Sequence, residues 1–134
     1  MNRSVSPAGL AEILNSMEGD VLSILSRSPV PLGKATPPTS IGVYIFSVDN
    51  IITYVGEAKG SLGLRDRLLN KHVSGDDRHA IQRALAVEFP DRQLRRAHLL
   101  EHVDVRWLEL DDPGRVSAVE RLLIWLLKPP WNLK

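Results

Sequence analysis

The carboxyl group of Glu120 interrupts the apolar pattern of its own segment. Apolar residues recur after Pro113 at spacings of three and four, which predicts an amphipathic helix, and Glu120 lies at the edge of its apolar arc, about 20° from Leu127. Burial of an unpaired carboxylate is costly, so Glu120 must be protonated, paired with a cation or bound to a metal ion. A salt bridge to an arginine is the ordinary structural alternative.

Two tyrosines lie in neighbouring segments of β type. Residues 41–46 and 51–55 are rich in β-branched and aromatic residues and flank Val48-Asp49-Asn50, which predicts a hairpin. A two-residue loop would send Tyr44 and Tyr54 to opposite faces. We predict a three-residue loop with Asn50 left-handed, or a bulge with the same effect, which would set the tyrosines directly opposite each other. Two half-buried sheet aromatics remain the structural alternative.

The tyrosines and their neighbours resemble the signature of the GIY-YIG nuclease superfamily. Gly42-Val43-Tyr44 is followed ten positions on by Tyr54-Val55-Gly56. The family also carries an arginine on the first helix after this hairpin, with apolar residues three before and one after it. Arg67 stands in that setting between Leu64 and Leu68.

The end of the chain extends the resemblance. The family has a glutamate on a late helix, then a lysine-proline helix stop and an asparagine twelve positions after the glutamate. Glu120, Lys128-Pro129 and Asn132 reproduce that order and spacing. The resemblance therefore covers residues 41–132 and rests on several motifs in order.

The resemblance implies a metal-dependent endonuclease that hydrolyses DNA phosphodiester bonds in repair or restriction, with Mg²⁺ as cofactor and Mn²⁺ as the second option. Tyr44 is then the general base, Arg67 the phosphate clamp and Glu120 the metal ligand. Tyr54 orients water or phosphate. Asn132 joins the helix end to the hairpin by hydrogen bonds, and a purely structural role for it is equally open. Only about 0.1% of an ordinary tyrosine is ionised at pH 7, so we expect nearby cations to lower the pKa of Tyr44.

Two positions depart from the family pattern. Arg67 lies further from the hairpin than in many relatives, so Arg65 remains a rival. Relatives often carry His or Tyr four residues after the arginine, where this chain has Lys71, followed by His72. We favour Lys71 by register. The further predicted substrate contacts are Gly56, Lys59 and Arg65.

The elements that must position these residues are predicted from periodicity and turn residues. An amphipathic helix covers residues 1–27, a proline-rich linker covers 28–40 and the nuclease-like domain covers 41–134. Within that domain we expect helices over 61–73, 78–87 and 92–100, a third strand over 102–110 and a last helix ending near Lys128. This order predicts an α+β domain with a three-stranded, mainly antiparallel sheet flanked by helices.

Composition and charge exclude several classes of protein. The 134 residues include no cysteine, which excludes a disulfide scaffold, and no apolar run reaches the ~20 residues that span a bilayer. We therefore expect a cytoplasmic protein with no membrane partner. The net charge is only +1, but Lys59 to Arg96 carry nine basic and five acidic residues. That asymmetry suits DNA, although a solvated helical face could also produce it.

Two further functions stay open. One is a catalytically inactive nucleic-acid-binding module of the same fold. The other is a protein-interaction domain that uses the N-terminal helix, in a homodimer or with a protein partner. Trp125 lies opposite the apolar arc of the last helix, as either a packing residue or an exposed contact.

Overall fold

The computed structural model describes residues 6–71 and 91–132, so the predicted helix over 78–87 lies outside it. In chain order the elements are α1 (Pro7–Ser26), β1 (Val30–Pro31), a 3₁₀ turn (Leu32–Lys34), β2 (Gly42–Val48), β3 (Ile51–Ala58), α2 (Gly63–Asp66), a π-helical turn (Arg67–Lys71), α3 (Arg92–His102), β4 (Asp104–Glu109) and α4 (Pro113–Leu127). Among the described helices, none is both long and apolar enough to cross a membrane.

The long helices begin and end where local chemistry predicts. Ser6 caps α1, because its Oγ accepts a hydrogen bond from Gly9 N at 3.0 Å. Asp112 caps α4 in the same way, accepting from Gly114 N at 2.9 Å. Helix α4 ends at Lys128, which has left-handed backbone geometry with φ of 47°. Helix α1 begins at Pro7, later than the predicted residue 1, and ends at Ser26, one residue before the predicted bound; α4 ends at Leu127, next to the predicted Lys128.

The sheet has four strands rather than the predicted three. Their order is β1-β4-β2-β3, and every neighbouring pair is antiparallel, which confirms the α+β class. The additional strand, β1, comes from the predicted linker, where Val30 pairs with Val105. Its second residue, Pro31, is tolerated because an edge strand does not need every backbone N–H for pairing.

The β2–β3 hairpin corrects the predicted loop. Val48 pairs with Ile51, so the turn has two residues, and both Asp49 and Asn50 have positive φ, at 52° and 66°. This is type I′ geometry, which matches the twist of the strands and which Asp and Asn tolerate. The register then shifts, so that Phe46 pairs with Tyr54.

The register shift keeps the two tyrosines on one face of the sheet, as predicted. They do not lie directly opposite each other, however, because Tyr44 pairs with Gly56. The bulge therefore places both tyrosines on one face of the sheet, as we expected, but it pairs Tyr44 with Gly56 rather than with Tyr54.

The sheet separates two hydrophobic clusters. One face carries Tyr44, Phe46 and Tyr54 and packs against α2, α3 and the 3₁₀ turn through Leu32, Leu64, Leu68 and Leu99. The other carries Val43, Ile45 and Val55 and packs against α1 and α4 through Val21, Ile24, Val116, Val119 and Leu123. The tyrosines and Glu120 thus belong to elements on opposite faces, and any meeting between them must occur at the sheet's edge.

Candidate active site

Three aromatic rings form one wall of the candidate site. Tyr44 is fully buried and Tyr54 nearly so. Their ring centroids lie 6.2 Å apart, and Phe46 contacts both, at 5.3 Å from Tyr44 and 5.8 Å from Tyr54. These tilted arrangements are favourable for aromatic pairs and hold the phenols in defined positions.

Gly56 makes room for the Tyr44 ring. It lies directly across from Tyr44 on β3, and a Cβ atom at position 56 would collide with the ring and hydroxyl of that tyrosine. Gly56 was predicted as a substrate contact. The structure gives it a different use here, because the absence of a side chain is what allows the phenol to lie over the strand.

Arg67 is the arginine that reaches the tyrosines. Its Nε donates to the hydroxyl oxygen of Tyr44 at 3.4 Å, a long hydrogen bond, and its side chain is half-buried. Arg65 points elsewhere, because its Nε donates to the carbonyl oxygen of Pro37 at 3.2 Å. Of the two rivals, the geometry therefore brings Arg67 and not Arg65 to the phenols.

The predicted linker positions Arg67. Helix α2 begins at Gly63, whose φ of 54° suits glycine, and the carbonyls before it accept the first helical N–H groups. Leu64 N donates to Ser40 O at 2.9 Å, and Arg65 N donates to Pro38 O at 2.8 Å. The start of α2 is thereby tied to the segment that precedes β2.

Burial governs the ionisation of both phenols. It raises the pKa of Tyr44 well above its usual value, with the charge of Tyr54 adding to the rise and Arg67 only partly opposing it. Burial likewise raises the pKa of Tyr54. Arg67 lowers the pKa of Tyr44, as expected of a nearby cation, but desolvation outweighs this one guanidinium, so the net shift of the pKa is upward in the chain alone.

Glu120 has no ion pair with any described residue, so no salt bridge of the predicted alternative is found within residues 6–71 and 91–132. Its side chain is half-buried on α4. Burial raises its pKa to about 7, and the charge of Glu57 is the next cause. Glu120 in turn raises the pKa of Tyr44 and of Tyr54, so it lies within electrostatic range of both.

Glu57 is a second carboxylate that the sequence reasoning missed. Its Oε1 lies 3.3 Å from Lys59 Nζ, while its Oε2 is buried and has no hydrogen-bond partner. Lys59 Nζ also donates to Ser117 Oγ of α4 at 2.7 Å. The available signal was strand alternation, which turns position 57 away from Tyr54 and toward the α4 side.

The two carboxylates fit a hard divalent cation. Mg²⁺ binds through oxygen atoms and commonly uses one or two carboxylates together with water and substrate phosphate. Glu57 contributes an unpartnered oxygen, and Glu120 is a neighbouring acid whose negative charge is disfavoured without a cation. Residues 6–71 and 91–132 contain no group of three or more His, Cys, Asp or Glu side chains arranged for a metal.

Asn132 joins the end of the chain to the hairpin, as predicted. Its Oδ1 accepts from Val55 N at 2.9 Å, and its Nδ2 donates to Val55 O at 2.8 Å. The preceding Trp131 N donates to Thr53 O at 2.8 Å. These bonds cover the open edge of β3 beside Tyr54, so the structure shows a positioning contact for Asn132.

The other predicted residues are placed as follows. The backbone of Lys71 ends the π-helical turn that starts at Arg67. His72 lies outside the described residues, so the choice between these two helpers stays a prediction. Trp125 is 75% exposed, which makes it a surface residue rather than a packing residue.

Comparison with known proteins gives fold neighbours only. No protein-family model and no curated protein sequence matches the chain. Among solved structures, it is similar to the GIY-YIG N-terminal endonuclease domain of UvrC from Thermotoga maritima bound to its catalytic divalent cation, magnesium. The identity is 18% and the TM-score 0.45, covering 88% of this chain and 97% of that chain. Two point mutants of that domain, each bound to its catalytic divalent cation, give 16% and 18% identity, TM-scores of 0.44 and 0.43, and coverage of 88% and 89% of this chain and 97% of each of theirs.

Proposed function

We propose that this chain is a divalent-metal-dependent endonuclease that hydrolyses DNA phosphodiester bonds. The observation that carries the proposal is the meeting of Tyr44, Tyr54 and Arg67 on one face with Glu120 within electrostatic range from the other. Two phenols, a guanidinium and an acid that has no ion pair with a described residue can together supply proton transfer, positioning and charge stabilisation for phosphodiester hydrolysis. The family resemblance of residues 41–132 supports the same activity.

Arg67 is the proposed phosphate clamp. Its guanidinium hydrogen-bonds to both Tyr44 and Tyr54, which holds the planar fork in place, and its remaining N–H groups would donate to phosphoryl oxygens. Because the side chain is half-buried, its charge is screened less than that of an exposed arginine. Charge that develops on the phosphate during hydrolysis is therefore stabilised by a donor already in place.

Tyr44 is the proposed proton acceptor for the attacking water. The hydrogen bond from Arg67 places positive charge beside the oxygen that would take the proton. The buried phenol holds its own proton tightly, since its pKa is raised. Its role as a base thus requires further positive charge beside the phenol, which a bound divalent cation would supply and the anionic DNA would not. Tyr54, next to it, is proposed to orient the water or the phosphate.

Glu120 and Glu57 would hold the cation. A bound Mg²⁺ supplies a Lewis acid that stabilises charge on the phosphate and on the leaving oxygen. Lys59, which contacts both Glu57 and Ser117, keeps the two acidic elements together at the edge of the sheet. The bonds of Asn132 to Val55 hold β3 against the end of α4, which keeps the tyrosines and the acid in register.

The test is cleavage of plasmid DNA and branched DNA with and without Mg²⁺, beside Glu120→Gln. We expect cutting that requires the metal and is lost in the variant, because the ligand is lost while the fold is retained. Salt-sensitive binding without cutting would assign the chain to an inactive nucleic-acid-binding module instead. Neither binding nor cutting would favour an interaction domain that acts through α1.

A further inference from the structure

The outer side of α4 forms an open hollow whose lining residues, apart from Glu120, have no part in the proposed reaction. It has a volume of about 600 Å³ and is lined by Glu120, Arg121, Ile124, Trp125 and Lys128. Glu120 belongs to the candidate active site, so the hollow starts where the chemistry would take place. Trp125 is 75% exposed, although tryptophan is the residue with most to gain from burial.

The hollow places an aromatic ring between two cations. Arg121 precedes Trp125 by one helical turn, and Lys128, the left-handed residue just after the helix, follows Trp125 by three residues. All three line the hollow, and Arg121 and Lys128 are both exposed.

We infer that this hollow binds an unpaired stretch of the DNA strand, with one base stacked on Trp125 and the flanking phosphates bound by Arg121 and Lys128. Any base offers a face to an aromatic ring once it is unstacked, whereas a base inside a continuous duplex does not. The inference rests on the proposed function for its choice of nucleic acid. It narrows the substrate class to DNA with a single-stranded segment, such as a flap, gap or bubble, beside the bond that is cut.

The composition of the hollow favours a nucleic-acid strand over a protein partner. A protein-docking face is expected to present a contiguous apolar patch with charges at its rim. Here the lining combines two cations and one acid with a single exposed aromatic ring, and this excess of positive charge matches a polyanion that carries aromatic bases. Leu126, a neighbouring exposed apolar residue, lies outside the hollow.

Binding is measured in a Glu120→Gln background, so that no strand is cut, by fluorescence anisotropy of labelled oligonucleotides. We expect a single strand, and a duplex with a single-stranded flap, to bind more tightly than a blunt duplex of the same length. Trp125→Ala should weaken single-strand binding about 5- to 150-fold, the usual range for loss of one stacked base. Trp125→Phe, which retains a ring, should restore most of the affinity. Leu126→Ala is the matched control and should change nothing.

The cations are tested through the salt dependence of the same binding. Arg121→Gln and Lys128→Gln should each reduce the slope of log K against log salt by about 0.7, the value for one phosphate contact on a single strand. Lys34→Gln, which removes an exposed charge from the 3₁₀ turn, should leave the slope unchanged. This pair of results would show that the charges of the hollow, and not net charge alone, contact the strand.

Three outcomes would overturn the inference: equal or tighter binding of blunt duplex, single-strand affinity unaffected by Trp125→Ala, or a change of oligomeric state in Trp125→Ala on size-exclusion chromatography. The last would make the hollow a protein interface. These results are separable from failure of the proposed function, which is read from DNA cutting by the unaltered chain. Stacking that depends on Trp125 in a chain that never cuts would support the hollow and reject the nuclease.

Discussion

Helix α4 contacts two other elements through carboxylates, and the two contacts are built in opposite ways. Against α1, Asp20 is paired with Arg115 by two hydrogen bonds, Nε to Oδ2 at 2.7 Å and Nη2 to Oδ1 at 2.8 Å. Against β3, Glu120 lies near the like charge of Glu57 and has no ion pair with a described residue. The charge of Asp20 is therefore neutralised within the fold, whereas the negative charge of Glu57 and Glu120 is available to a bound cation.

The difference between the two contacts shows which buried charge stabilises the fold and which one destabilises it. A buried carboxylate with a two-point arginine partner is a structural arrangement, because both charges are compensated. A half-buried carboxylate beside another one is unfavourable in the free protein and becomes favourable only with a cation. Perturbed acids of the second kind are candidates for functional sites on physical grounds. The predictions below alter the Asp20–Arg115 contact, the Glu57–Glu120 pair or the arginine of the same candidate site, and they ask whether stability and activity respond separately.

The largest expected effect compares two arginines. Arg67→Gln should lower the rate of DNA cutting by about 10²–10³-fold, because a donor to the developing phosphate charge is lost, with little change in stability. Arg115→Gln should do the reverse, leaving the rate nearly unchanged while lowering the denaturation midpoint. Single-turnover cleavage and urea unfolding of both variants provide the check. Equal losses of cutting rate in the two variants would contradict the assignment of Arg67 to the reaction and of Arg115 to stability.

The next effect concerns the metal. Glu57→Gln should weaken Mg²⁺ binding by about 10- to 100-fold, the range seen when groups that support a metal site are removed. Isothermal titration of Mg²⁺ into the chain without DNA measures this independently of cutting. Glu101→Gln is the control, because Glu101 is a largely exposed acid on α3. Unchanged affinity in Glu57→Gln would leave Glu120 as the sole carboxylate of the site.

A smaller effect tests the satisfied contact. Asp20→Ala removes the partner of Arg115, whose side chain is 37% exposed and can in part be hydrated. We therefore expect a loss of about 1–2 kcal/mol in the free energy of unfolding, near the lower end for a broken charged hydrogen-bond pair. Urea denaturation with a constant m-value is the measurement. No change in the midpoint would mean that the pair adds nothing to the packing of α1 on α4.

The smallest effect is a gain of stability on removing the unsatisfied charge. The pKa of Glu120 is about 7 in the folded chain against an ordinary 4.5, so ionisation of this group opposes folding. The cost is complete above pH 7, declines as the pH falls toward 4.5 and is absent below it. In metal-free buffer at pH 8, the free energy of unfolding of Glu120→Gln should exceed that of the unaltered chain by up to about 1 kcal/mol. This value is reduced because the side chain is partly exposed to solvent. The difference should vanish at pH 4, and a gain independent of pH would contradict this account.

Sequence reasoning succeeded where the determinant is local. The helix starts follow from Ser6 and Asp112, because a cap acts on N–H groups two or three residues away. The stop at Lys128 was predicted from the proline that follows it. The shared face of Tyr44 and Tyr54 was also predicted, although the turn was not. Asp49 and Asn50 both accept positive φ, so the compact type I′ turn was available and the bulge was needed to restore the face.

It failed where two distant segments decide the outcome. The linker was expected to be a connector only, yet Val30 pairs with Val105 and the carbonyls of Pro38 and Ser40 hold the start of α2. Glu57 was missed because its importance depends on α4 lying against β3. Residue patterns predict the side of the sheet to which a side chain points. They do not predict which charged group of another element packs next to it.

The sequence alone determined which functional groups are available: two phenols on one face of the sheet, a guanidinium, an acid on the last helix and an asparagine after it. Spacing within one helix or hairpin follows from backbone periodicity, so these could be predicted. Tertiary structure alone decided that Arg67 rather than Arg65 reaches Tyr44, that burial raises the pKa of that phenol, and that Glu57 joins Glu120. These outcomes depend on desolvation and on charges brought together from far along the chain, and such energies exist only once the elements have packed.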